Sequence, residues 1–158
     1  MEFNINKIDE NNRSLANSFI IENWFSTDMS VRGKVVDATK LDGFILIENE
    51  KVIGLVTYLF WDKICEIITL DSKRENIGIG SALIQNVEKV AKERNVQKIQ
   101  LITTNDNLRA LQFYQKRDYY ITNIYVNAMD EVRKIKNVPL IGENGIPLRD
   151  EIELAKKL

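Results

Sequence analysis

The sequence predicts a single α/β domain whose central mixed, twisted sheet of about seven strands carries helices on both faces. Three observations predict it. The β-rich stretches Gly43–Glu48, Lys51–Trp61 and Lys63–Leu70 are joined by Asn49-Glu50 and Asp62-Lys63, connections short enough only for antiparallel hairpins. Beyond them, helical apolar spacing alternates with short β-rich runs, the pattern of strand–helix–strand crossovers. The 158 residues contain no internal repeat and no low-complexity linker, which predicts one domain over residues 1–158.

Each element has a local reason. Phe3–Ile8 alternates and reads as a strand. Leu15, Phe19, Ile20 and Trp24 follow at helical spacing, with Asn11 or Asn12 as the cap. Phe25–Asp42 carries mixed signals and reads as a loop with at most a short helix. Gly54, inside a strand, marks a bulge or a close backbone approach. Leu83, Val87, Val90 and Ala91 make the apolar stripe of a helix starting near Gly78, with Glu88 and Lys92 as an i,i+4 pair outside it. Lys98–Thr103 reads as a buried strand. Asn105–Arg117 reads as a helix capped by Asp106 or Asn107, with Ala110, Phe113, Tyr114 and Arg117 on one face. Tyr119–Asn127 is another strand, Ala128–Lys136 a short helix stopped by Pro139, and Leu148–Leu158 a last strand. That last assignment is preferred over helix because Tyr119–Val126 needs an outer partner on its far side.

Composition excludes several functions. Twenty-two basic against twenty-three acidic residues give a net charge of -1, with no footprint for nucleic acid or an anionic membrane. The longest apolar run, Leu55–Trp61, is far too short to span a bilayer. The first residues lack the basic and apolar blocks of a signal peptide, and Cys65 has no second cysteine to pair with. Both point to the cytoplasm. There is no histidine. This excludes Ser-His-Asp and Cys-His nucleophile systems and argues against a metal site.

Between Leu70 and the helix lies "ENIGIGS", Glu75–Ser81. Glycines at a helix N-terminus admit a phosphate to the unpartnered N–H groups there, and Ser81 adds a hydroxyl. The plain alternative is a tight corner between strand and helix. A dinucleotide fingerprint fits poorly, since Leu83 stands at the third glycine, and no P-loop lysine follows.

A second stretch bears on that choice. Asn107, Ala110, Phe113 and Tyr114, followed by "QKRDYY", resemble the pattern Asn-x-x-Ala-x-x-Phe-Tyr-x-x-x-Gly-Phe of the GNAT superfamily of acyl-CoA-dependent N-acyltransferases. The turn Arg/Gln-x-x-Gly-x-Gly/Ala of that family is matched in its last places by Gly78, Ile79 and Gly80, and the element order agrees over nearly the whole chain. Two positions depart: Glu75 stands for Arg or Gln, with Lys73 or Arg74 at hand to offset its charge, and Asp118 stands for the helix-ending glycine. Asp tolerates a left-handed conformation, so that turn survives.

The resemblance implies transfer of an acetyl group from acetyl-CoA, a cosubstrate, to a primary amine of a small molecule or peptide. It places the oxyanion at the backbone N–H of Leu70 and the proton donor at Tyr114. It places the cofactor on Leu70, Asp71, Ser72, Glu75, Asn76, Ile77, Gly78, Ile79, Gly80, Ser81, Asn107 and Tyr114. Tyr114 also reads as a core aromatic and Asn107 as a helix cap. Glu66, charged among isoleucines on the face of Ile64, Ile68 and Leu70, is a candidate base whose pKa burial would raise. It reads equally well as a paired or wet residue. The acceptor is expected between Trp24 and Asp42 and at the Tyr58–Trp61 turn. A non-catalytic acyl-CoA-binding module of the same fold is the alternative, and a homodimer is left open.

Overall fold

The structure, a computed structural model, describes residues 2–158. The chain begins with β1 (Ile5–Lys7), α1 (Arg13–Trp24), and a hairpin of β2 (Asp28–Val31) and β3 (Lys34–Asp37). Next come β4 (Asp42–Glu48), β5 (Lys51–Trp61), β6 (Ile64–Ser72), α2 (Ile79–Glu93), β7 (Lys98–Thr104) and α3 (Leu108–Gln115). It ends with β8 (Tyr120–Tyr125), α4 (Ala128–Arg133) and β9 (Glu151–Lys157). Among the described residues, seven strands form one mixed sheet in the order β1-β4-β5-β6-β7-β9-β8. The sequence-predicted fold class holds.

The β4–β5 hairpin follows from its turn. Asn49 and Glu50 both have positive φ, 48° and 64°, as the tight hairpin turn matching strand twist requires. Helix α1 covers one face of the sheet, burying Ala16, Phe19 and Ile20 over Ile45 and Leu55. Helix α2 covers the other, with Ile79, Leu83, Ile84, Val87 and Ala91 buried. Gly54 is what lets α2 sit this close: a Cβ there would lie 2.6 Å from Cγ2 of Ile79. The strand is also bulged beside it, between Leu46 and Ile47 of the partner strand. Both readings of that glycine therefore apply.

Two expectations are corrected. Phe25–Asp42 is not a loop: it forms the β2–β3 hairpin, and the short helix allowed there is the 3-10 helix Ala38–Lys40. Strands of four residues are too short to display a period. The last segment is a strand as expected, but it does not flank Tyr119–Val126 on the outside. β9 lies between β7 and β8, leaving β8 as the edge. The physical reason is burial. Ile152 to Ala155 are buried on both faces, whereas β8 is exposed along its whole length, and a doubly buried strand belongs inside a sheet.

A bulge in β6 decides which side chains share a face. Thr57 of β5 stands opposite Thr69, and Tyr58 opposite Ile67, so Ile68 is the extra residue. Alternation is thereby reset. Ile67 and Leu70 pack toward α2, while Ile68 packs toward α1. The expectation that Glu66 and Leu70 share a face is overturned by this one residue.

The hairpin turn, Arg32-Gly33 at φ 52° and 76°, projects Arg32 over the sheet. Its guanidinium donates to Glu66 on β6 and to Glu153 on β9, each at 2.6 Å. Tyr125 also donates to Glu153, at 3.1 Å. Burial raises the Glu66 carboxyl even though Arg32 pulls it down. Burial also works on Glu153, but hydrogen bonds from Thr122, Arg32 and Tyr125 outweigh it and hold that carboxyl low. Arg32→Met removes the partner of a carboxylate that is 1% exposed. It should cost about 2–4 kcal/mol at neutral pH, below the ~5 kcal/mol of a fully buried pair because Arg32 is partly exposed. A carboxyl whose folded pKa lies above its unfolded value weakens folding as it ionises. The deficit should therefore shrink as pH falls through that pKa toward the ordinary ~4.3. Urea unfolding at several pH values reads this. A deficit that does not change with pH would place the loss in hairpin packing.

Candidate active site

The site begins where two parallel strands stop pairing. β6 and β7 are bonded only through Ile64–Glu66 and Lys98–Gln100. From there β6 stays with β5 and β7 with β9, so a wedge opens at their carboxyl ends. It widens into a cleft of about 660 Å³ lined by β6, β7, α3 and the start of α2. Ligand sites in open sheets lie at such points.

Backbone groups face this wedge by register. Lys73 donates to the carbonyl of Ile53 at 2.9 Å, which makes the next directly opposite pair, Gly54 and Ser72, a non-bonded one, and Val56 and Leu70 another. The N–H groups of Leu70 and Ser72 accordingly turn away from β5, toward the gap. On the facing wall, Gly78 caps α2 at φ 94°, in the left-handed region. The first helical bond runs from Ala82 to Gly78, so the N–H groups ahead of it have no helical partner. Gly80 has a different reason: a Cβ there would stand 3.0 Å from the Phe113 ring. Bulk at Gly80 would thus disturb the apo protein as well as any ligand.

The charges around this cradle are paired. Glu75 is bound by Arg109 of α3. Lys73 and Arg74, the expected counter-charges to Glu75, are engaged elsewhere, with Glu22 and Glu48. Arg117 stacks over Phe113 with its guanidinium carbon 3.7 Å from the ring centroid. It also donates to the Ser81 hydroxyl from two nitrogens, at 3.0 and 2.6 Å. Arg109 and Arg117 were not among the sequence candidates. Arg117 had a weak signal, one turn after Phe113 on the same helix face; Arg109 meets a residue 34 positions away and had none.

Leu70, Asp71, Ser72, Glu75, Asn76, Gly78, Ile79, Gly80, Ser81, Asn107 and Tyr114 all line the cleft. Ile77 is not among its lining residues; it is 41% exposed. Asn107 caps α3, accepting from the Ala110 N–H at 3.1 Å. Ser72 accepts from the backbone N–H of Arg74 and donates to its carbonyl, so its hydroxyl closes the local turn. Asp118 ends the α3 segment at φ 67°, taking the left-handed conformation that glycine would.

Glu66 is held elsewhere. It is absent from the cleft's lining residues, because the bulge at Ile68 separates it from Leu70 and Arg32 binds it on the α1 face. Tyr114 is buried at the back of the cleft, edge-on to Phe113 and Tyr119. Burial raises its phenol above the ordinary range, and the charge of Asp71 adds to this while Arg117 opposes it. The phenol is therefore protonated throughout the neutral range. Asp71 sits on the α1 side, where Trp24 Nε1 donates to its carboxylate at 2.5 Å.

A family model described as the acetyltransferase (GNAT) family matches residues 10–119. Uncharacterized protein YxbD of Bacillus subtilis (strain 168) is 44% identical over 148 residues, covering 92% of this chain and 93% of that protein. Among solved structures, the IAA acetyltransferase from Bacillus cereus ATCC 14579 has a TM-score of 0.76 at 22% identity, over 99% of this chain and 100% of that one. The Bacillus subtilis acetyltransferase in complex with CoA has a TM-score of 0.72 at 20% identity, over 99% of each. At such identities the two structures speak to the fold. Together with the family match across most of the sheet and its helices, they lead to one conclusion: the chain belongs to the GNAT acetyltransferase family.

Proposed function

We propose that the protein is an N-acetyltransferase that takes acetyl-CoA as a substrate and transfers its acetyl group directly to a primary amine. What supports this reading most is one juxtaposition. The gap-facing N–H of Leu70, the buried phenol of Tyr114 and the unpartnered N-terminus of α2 open on the same cleft.

The residues present fit a CoA-type ligand. Unpartnered N–H groups at Gly78, Ile79 and Gly80, with Arg117 close by, suit a diphosphate. In this mechanism the thioester supplies an activated carbonyl carbon. The Leu70 N–H, aimed into the gap, donates to the carbonyl oxygen as negative charge gathers there. Tyr114 stays protonated until the thiolate departs, then gives up its proton. The walls of Ile67, Leu101 and Ala110 keep water from the thioester. An acceptor of small-molecule or peptide type enters from the α1 side, past Trp24. A reducing, cytoplasmic setting fits the buried, unpaired Cys65.

Two experiments test the reading. Acetyl-CoA at a hundredfold excess over its Kd should stabilise the native state by about 2.7 kcal/mol, a rise in Tm of roughly 5–10 °C for a domain of this size. Glu75→Gln should then tighten binding a few-fold by freeing Arg109 and removing an anion, on the order of one exposed ion pair, and the gain should fade as salt rises. No shift at millimolar acetyl-CoA would end the proposal.

Tyr114→Phe keeps the ring packing and removes only the hydroxyl. Thiol release with an accepted amine should fall by about 10²-fold or more, while acetyl-CoA affinity stays near that of the wild type. Turnover at the wild-type rate, with chemistry rate-limiting, would make Tyr114 a packing residue and water the proton source.

A further inference from the structure

The structure assigns a role to Asp71 that the family pattern does not supply: we propose that its carboxylate is the general base that takes the proton from the attacking amine. This rests on the acetyl-transfer reading above.

Geometry leads to it. Asp71 follows Leu70 directly, so its carboxylate stands one residue from the N–H that faces the gap, but on the opposite face of the sheet, toward α1. It lines the same cleft as Tyr114 and Trp24. The oxyanion donor and this carboxylate thus come from neighbouring residues of one strand and open on one cleft. Glu66 cannot serve, being bound by Arg32 outside the cleft. Glu75 lines the cleft but is occupied by Arg109 at the loop end. Asp71 differs from both in having an indole N–H as its partner instead of a cation.

The environment suits a base. Burial raises the Asp71 carboxyl above the usual aspartate range, while the Trp24 hydrogen bond and the charge of Lys73 pull it back. Lys73 is itself paired with Glu22 of α1. Across the cleft the titratable neighbour is Tyr114, itself under the influence of Arg117 on the same segment. The facing residue of β5 is apolar, Leu55. Arg74, from the loop, is drawn off by Glu48. Burial thus leaves the Asp71 carboxyl more basic than a free aspartate.

The step balances. The neutral amine's lone pair forms the C–N bond while the carbonyl π pair moves to oxygen. The nitrogen's surplus proton goes to Asp71. The oxyanion's pair then re-forms the C=O bond as the C–S bond breaks; the C–S pair goes to sulfur, which takes the Tyr114 proton. The proton on Asp71 passes to the Tyr114 oxygen, directly or through water, and both groups return to their starting states. Trp24 is a positioning residue that holds the carboxylate and tunes its basicity.

The test uses the full chain, acetyl-CoA, and a panel of spermidine, tyramine, glycinamide and a short peptide with a free N-terminus. Asp71→Asn keeps an acceptor for the Trp24 N–H. It should leave the acetyl-CoA Tm shift intact, lower thiol release by about 10²-fold or more, and abolish the acidic limb of the kcat/KM–pH profile. Trp24→Phe should move that limb to higher pH in whatever turnover it retains, since losing an N–H to the charged form raises the carboxyl pKa. A carboxyl NMR titration with CoA bound, which needs no acceptor, should show Asp71 titrating above ~3.9. The assignment is overturned by Asp71→Asn with full turnover and an intact limb, by a Trp24→Phe limb that stays put or moves down, or by Asp71 titrating at or below the ordinary value. A wild type that neither binds acetyl-CoA nor releases thiol overturns the transfer reading itself, and this one with it.

Discussion

Everything functional in this fold depends on two parallel strands that cease to pair. Past Glu66 and Gln100, β6 is held by β5 alone and β7 by β9 alone. Each strand then presents a row of backbone N–H and C=O groups to the space between them. Such groups cost about 1–3 kcal/mol each when buried without a partner, so the wedge must be wet or filled by something polar. A splayed sheet is thus a binding site by construction. The antiparallel flanks make the splay tolerable, because the outer edges of β6 and β7 stay paired with β5 and β9. The bulge at Ile68 adds local twist to the same strand and turns Leu70 toward α2.

Charge is distributed around the wedge so that little of it is left unpaired. Arg32 crosses from its hairpin to neutralise Glu66 and Glu153 beneath it. Arg109 neutralises Glu75 beside the glycine turn. That second pair answers the question the sequence raises at Glu75, an anion where the family has a cation or an amide. The counter-charge comes from the neighbouring helix instead of the loop's own Lys73 or Arg74. Arg117 restores a cation near the turn, fixed in place by the Phe113 ring and the Ser81 hydroxyl. The carboxylate of Asp71, which accepts from the Trp24 indole, has no such cation bonded to it.

Several elements were legible from local pattern. The hairpins were read from two-residue connections, α2 from its apolar stripe, and α3 from Asn107 and the Phe113-Tyr114 pair. The β2–β3 hairpin was missed because two strands of four residues show too little period to separate from loop. The place of β9 was also missed. Its alternation identifies a strand, but its position in the sheet depends on burial of both faces, a property of the assembled sheet. The shared face proposed for Glu66 and Leu70 failed by one residue, since strict alternation holds only in an unbulged strand.

The sequence by itself determined the type and order of the main elements, the glycine corner before α2 and the membership of the family. Each of these is carried by neighbours a few residues apart, where periodicity, capping and turn conformation operate. Tertiary structure alone decided which carboxylates are free to act. Arg32 meets Glu66 across 34 residues, Arg109 meets Glu75 across 34, and Trp24 meets Asp71 across 47. The reactivity of a carboxyl group follows from its burial and from the charge or N–H beside it. At such separations those are set by the folded sheet, and no local pattern encodes them.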